Sequence, residues 1–97
     1  LGRGSVTIMN YYEIVLYELR HRQRFCVRQA VLVADAARRS HAEASEFLAL
    51  WLQRGRATDA ESAVTAQRRT ATLHADYRRW IGEADGLGDV LSQVRPA

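Results

Sequence analysis

The only proline in this 97-residue chain is Pro96. Proline inside a helix removes a backbone donor and clashes with the carbonyl four residues earlier, so few residues limit helix length as directly. Its absence from residues 1–95 leaves the chain open to long helices. Alanine, arginine, glutamate and leucine, which adopt helical backbone at little entropic cost, are abundant. No segment alternates apolar and polar residues at the period of a half-buried strand. Residues 6–8, Val-Thr-Ile, could extend but have no second strand to pair with. The expected fold class is all-α.

Apolar spacing defines the elements. Asn10, with Glu13 three residues on, has the pattern of a capping box and is expected to open the first helix. Tyr12, Leu16, Leu19, Cys26, Ala30, Val33 and Ala37 then recur in steps of three and four, interrupted by Gln23, and Val15 and Val27 widen this seam. Ser40 and Glu43 repeat the capping pattern, yet the seam keeps its phase through Ala44, Phe47 and Trp51. Both a continuous helix and one kinked near Ser40 fit. Trp51 is expected in the core. Gly55 stands where a helix C-terminus favours glycine, and Thr58 with Glu61 is a third capping pattern. A second helix is expected from about Asp59 to Ile81. Its weaker face holds Ala60, Ala63, Val64, Ala71, Leu73, Tyr77, Trp80 and Ile81. "GEADGLG" reads as a turn, after which Leu87, Val90, Leu91 and Val94 suit a short C-terminal helix.

The expected architecture is an antiparallel hairpin of two long helices plus that short helix, since a short glycine-containing link makes neighbours antiparallel. Residues 1–9 are expected to be a flexible start with a cloning-derived "LGRGS", and residues 10–97 a single all-α domain.

The segment "ELRHRQRFCVRQ", residues 18–29, holds four arginines and a histidine. At about 100° per residue, Arg20, Arg24, Arg28 and His21 share roughly one quarter of the helix circumference, and Arg22 points elsewhere. Ile14, Phe25 and Leu32 form a second apolar line, separated from the seam by Glu18 and Arg22. A helix with two apolar sides is normally covered on both, and one antiparallel neighbour covers one. A homodimer is therefore expected, with the C-terminal helix of Leu87, Val90 and Leu91 folding back, or a different protein, as the alternative covers. Ile14, Tyr17, Arg20, Arg24, Phe25, Arg28 and Leu32 are the candidate protein-interaction residues.

Charge separates the partner classes. All 14 basic residues are arginine, as a GC-rich coding sequence would produce, and the net charge is +3. That charge is small for a polyanion binder, and acids share the helix with the arginines, so nucleic acid is not the expected partner. "FLALWLQRGRATDAESAV" resembles a helix-turn-helix only in outline. Trp51 and Glu61 occupy positions where that motif requires small and apolar residues.

Catalytic and metal patterns are weak. His21 precedes Cys26 by five residues, a spacing that does not bring the two together on a helix. The histidines at 21, 41 and 74 are far apart, and no metal-ligand spacing or glycine-rich phosphate loop occurs. No enzymatic activity, cofactor or metal is expected. One cysteine, no membrane-length apolar run and no signal-peptide pattern point to a bacterial cytoplasmic protein. The expected function is that of a small regulator which binds and masks a larger protein, as anti-activators of transcription regulators do. A dimeric nucleic-acid-associated protein using the Arg20/Arg24/Arg28 edge and a hairpin resembling a secretion chaperone are the alternatives.

Overall fold

The computed structural model describes the backbone of residues 3–94 and the side chains of residues 11–94. Two helices, α1 (Arg3–Arg54) and α2 (Ala57–Gln93), form an antiparallel hairpin with extents of 80 × 19 × 13 Å. The reversal needs two residues. Gly55 adopts the left-handed region at φ 66°, and its amide donates to the Trp51 carbonyl at 2.7 Å. This is the αL helix ending that glycine adopts without a Cβ penalty. Arg56 is extended and its carbonyl accepts the amides of Asp59 and Ala60, which starts α2. The Arg54 guanidinium then grips the buried Asp59 carboxylate across the turn at 3.0 and 3.1 Å.

The helices meet along a seam of small residues. Cys26, Ala30, Ala37, Ser40 and Ala44 of α1 are buried against Ala63, Ala66, Thr70 and Ala84 of α2. Both sets follow the three-four spacing of a coiled coil, and side chains this short let two helix axes approach closely. Ser40 belongs to the seam: its hydroxyl donates across the hairpin to the Ala66 carbonyl at 3.0 Å. Larger side chains, Phe25 and Trp80 among them, close the seam at one flank and remain partly exposed.

The form of α1 left open at Ser40 is decided, and several other expectations are corrected. The helix α1 runs through Ser40 without a break, because burial of the Ser40 hydroxyl against α2 serves interhelical bonding instead of a cap. It begins at Arg3, so Asn10 lies inside it and not at its start, and the backbone of residues 6–8 is helical. The helix α2 begins at Ala57 with Arg56 as N-cap and no side-chain cap bond, so Thr58 and Glu61 form no capping box. The "GEADGLG" segment is helical. A single α2 reaches Gln93 and no separate C-terminal helix exists among the described residues. The heptad explains why: Ala84, Leu87 and Leu91 continue the seam of Ala63, Ala66 and Thr70 in phase, and this packing outweighs the modest cost of helical glycine. Trp51 is on the seam by spacing, yet it is 41% exposed, since it lies in the last turn before the reversal.

Candidate functional site

The seam divides the hairpin into two flanks of different chemistry. On one flank, Arg22 donates twice to the Glu83 carboxylate, at 3.0 and 2.7 Å, and Arg69 pairs with Glu43 at 3.3 Å. Phe25 meets Trp80 edge-on, centroids 5.8 Å apart, while the Arg22 guanidinium lies 5.2 Å from the Phe25 centroid and Arg79 lies 5.3 Å from Trp80. Hydrogen bonding to Glu83 holds the Arg22 guanidinium above its ordinary pKa. This flank is already occupied by contacts within the chain.

The other flank carries a cleft lined by Ala34, Ala37, Arg38, His41, His74 and Tyr77. Val27 and Val31 stand seven residues before Ala34 and Arg38, and Leu48 stands seven after His41, so all three extend the same face. Among the described residues, no ion pair crosses between the helices on this flank.

The sequence-derived candidates divide accordingly. Ile14, Tyr17, Arg20 and Arg24 come together and line a groove with Glu13, Leu16 and His21. The Tyr17 ring stacks on His21 at 6.0 Å. Arg24 and Arg28, one turn apart, also line a shallow depression with Gln23 and Val27. Phe25 and Leu32 do not join this group. Phe25 is half-buried against Trp80, and Leu32, two turns farther on, shares that ion-paired flank while remaining 62% exposed. Thus the single apolar line of Ile14, Phe25 and Leu32 is split: Phe25 is a hairpin contact and the other two are open. Val27, Val31, Leu48 and Leu52 were not singled out by sequence reasoning as a surface, although their regular spacing parallel to the seam marks them.

The groove has a distinct electrostatic character. Among the described residues, no ion pair involves Arg20, Arg24 or Arg28, nor Arg56, Arg68 or Arg78 elsewhere, whereas Arg22, Arg38, Arg39, Arg54, Arg69 and Arg79 each have a carboxylate partner; Arg20, Arg24 and Arg28 share one helix edge. The groove also lies toward the N-terminal end of α1, which at 52 residues extends past the end of the 37-residue α2. An apolar floor of Ile14, Leu16 and Tyr17 is therefore bordered by the Arg20 and Arg24 guanidinium groups, which form no ion pair among the described residues, and by the Glu13 carboxylate.

Cys26 is fully buried in the seam, and burial first, with the Glu83 charge adding to it, pushes its thiol pKa up. A protonated, inaccessible thiol is a poor nucleophile. Among the described residues, no group of three His, Cys, Asp or Glu side chains is placed to share a metal ion, and no helix is long and apolar enough to cross a membrane. No family model, curated protein or solved structure matches the chain.

Proposed function

We propose that this protein is a non-enzymatic regulator that binds a larger protein and masks a surface of it, in the manner of an anti-activator of a transcription regulator. The carrying observation is the groove of Ile14, Tyr17, Arg20 and Arg24, in which exposed apolar side chains adjoin arginines without acid partners in the described chain. An amphipathic partner helix with an acidic edge complements both features. Its apolar face would bury Ile14 and Tyr17, and its carboxylates would pair with the guanidinium groups. Guanidinium suits this role because its planar fork donates two parallel hydrogen bonds to one carboxylate. Long-range attraction would chiefly accelerate encounter, and the apolar contact would set the residence time.

A second reading uses the same arginines. Arg20, Arg24 and Arg28 on one helix edge could contact successive phosphates of a nucleic acid, whose binding would weaken steeply with salt. Both readings are tested by comparing the wild-type chain, Tyr17→Asp and the triple variant Arg20→Glu/Arg24→Glu/Arg28→Glu. Retention of cellular proteins on the immobilised chain and anisotropy with mixed-sequence duplex DNA and RNA are the two measurements. The protein-masking reading expects a specific retained protein that Tyr17→Asp loses, with little salt dependence. Tight duplex binding that Tyr17→Asp leaves intact and the triple variant abolishes would replace it with the nucleic-acid reading.

A further inference from the structure

We infer that the flank carrying Val27, Val31, Leu48 and Leu52 is the seat of a second copy of this chain, so that two hairpins pack into a four-helix bundle. The flank adjoins the Ile14/Tyr17 groove, with Arg24 lining a depression beside Val27, and the inference does not depend on the function proposed for that groove.

The first argument is area. A compact monomer of 11.0 kDa exposes about 5,600 Å² by the mass scaling of folded proteins, whereas this chain exposes 7584 Å². Its radius of gyration is 22.2 Å, against about 12.5 Å for a compact domain of this length. From Val27 to Leu52 the flank runs about 38 Å at the helical rise, and at the 19 Å width of the hairpin this is a footprint on the order of 700 Å² per copy. A stable interface buries about 600–1,000 Å² per partner, so this one flank reaches the size a dimer needs.

The second argument is the weakness of the internal core. Buried alanines supply about one methyl group each, roughly 0.8 kcal/mol, where a buried leucine supplies about 1.5–3 kcal/mol. Of the fully buried side chains, cysteine is the largest. Larger aliphatic groups on the seam, Val33, Leu73 and Leu87 among them, are only partly buried, and others stand outside it: Val31 is 60% exposed and Leu52 is 73% exposed. The fully buried layer is thus built mainly of alanine, while Val27, Val31, Leu48 and Leu52 stay exposed on the flank. Small helical scaffolds commonly compensate for a thin core by oligomerising.

The third argument is the contrast between flanks. Along the length shared by the two helices, the opposite flank holds the Arg22–Glu83 and Arg69–Glu43 bridges, which fits a surface that stays in water. On the proposed face Arg38 is turned to Asp35 of its own helix, and Ala34 and Ala71 provide small positions between the bulkier groups. A closed dimer uses the same patch on both copies, and one broad flank per hairpin, with Val27, Val31, Leu48 and Leu52 around the cleft of Arg38, His41 and His74, meets that requirement.

Adjacent residues provide the test. Val31 and Leu32 are almost equally exposed, at 60% and 62%, yet lie on opposite flanks. Sedimentation equilibrium or light scattering on the full chain, with far-UV circular dichroism on each sample, would compare wild type, Val31→Glu, Leu52→Glu and Leu32→Glu. The expected result is a wild-type mass twice the 11.0 kDa of the chain, a helical monomer for Val31→Glu and Leu52→Glu, and a dimer for Leu32→Glu. If Val31→Glu loses helix, Leu52→Glu beside the turn carries the comparison. A folded wild-type monomer at about 100 µM would overturn the proposal and leave the flank to a different protein. Dissociation by Leu32→Glu with a persistent dimer in the other two would also overturn it, by placing the interface on the ion-paired flank.

Discussion

The Ser40 hydroxyl sits between the Ala66 carbonyl, to which it donates at 3.0 Å, and the Thr70 hydroxyl, from which it accepts at 2.9 Å. Thr70 can instead give its proton to the Ala66 carbonyl of its own helix at 2.8 Å. That second acceptor decides what a mutation does. Ser40→Ala leaves Thr70 satisfied through Ala66 and keeps the seam small, so a loss below about 1 kcal/mol is expected. Ser40→Leu drives a branched side chain into a seam spaced for alanine and should cost about 1–3 kcal/mol or more. Urea denaturation of the two variants checks the order. A Ser40→Ala loss equal to that of Ser40→Leu would show that the hydroxyl bridge, and not the spacing, governs this layer.

Gly82 and Gly86 lie in the interior of α2 with nothing within 4 Å of the position a Cβ would take. Helical glycine costs about 0.5–1 kcal/mol relative to alanine. Gly82→Ala and Gly86→Ala should each stabilise by that amount and raise Tm, most clearly in the double variant. Gly88 differs, because a Cβ there would stand 2.9 Å from the Gln23 amide nitrogen and displace that flexible side chain. Thermal melts of the three alanine variants distinguish a continuous helix from a turn at this segment. In a turn that used glycine conformations, all three would destabilise.

The same segment shows what was legible in the sequence. The seam of α1 was readable because Leu16, Leu19, Cys26, Ala30, Val33 and Ala37 keep one phase, and Gly55 announced the reversal. The continuation of α2 was obscured because its heptad is carried by Ala63, Ala66, Thr70 and Ala84, residues that weigh little when apolar faces are judged by bulk. Three glycines then imitated a turn. Ser40 imitated a cap, since a side-chain hydroxyl serves an interhelical bond as readily as a helix terminus, and Thr58 imitated one from within the first turn of α2, past its Arg56 N-cap. At the candidate surface, the Arg20/Arg24/Arg28 edge followed from angular spacing alone. The engagement of Phe25 did not, because it depends on Trp80, whose place opposite Phe25 is fixed by the register of two helices joined by a two-residue turn.

Phe25 and Leu32 therefore respond differently to truncation. Phe25→Ala removes the edge-on contact with Trp80 and the ring beneath Arg22, and a loss of about 1–2 kcal/mol is expected for a half-buried aromatic. Leu32→Ala removes an exposed side chain on the ion-paired flank and should stay within about 0.5 kcal/mol. Chemical denaturation at one protein concentration compares them. Equal losses would mean that Leu32 is covered in solution.

Asp35 is bonded by both Arg38 and Arg39, and the hydrogen bond from Arg38, with the Arg39 charge next, holds its carboxyl below the ordinary 3.8. A folded-state pKa below the unfolded one means that the ionised form favours the fold. The contribution is present above the unfolded value and disappears as pH falls through the lower, folded value. Comparing Asp35→Asn with wild type should therefore show a Tm difference at pH 7 that closes on acidification below the ordinary carboxylate range. A constant difference down to pH 2 would assign the effect to packing or helix propensity instead.

Cys26 combines full burial with a raised thiol pKa, so its reactivity reports on the opening of the seam. Alkylation at pH 8 should be slow in the native protein and rapid in denaturant, because the reactive thiolate is suppressed and the sulfur is inaccessible. The rate in native buffer then follows the opening of the hairpin, and any variant that weakens the seam should accelerate it in proportion to its effect on stability. Ser40→Leu and Phe25→Ala are expected to speed labelling, and Leu32→Ala to leave it unchanged. Cys26→Ala should itself be mild, since alanine is the usual occupant of this seam, while Cys26→Leu should destabilise by overpacking. Rapid stoichiometric labelling of the native wild type would contradict this placement, because a thiol on the closed seam cannot meet the reagent without separation of α1 from α2.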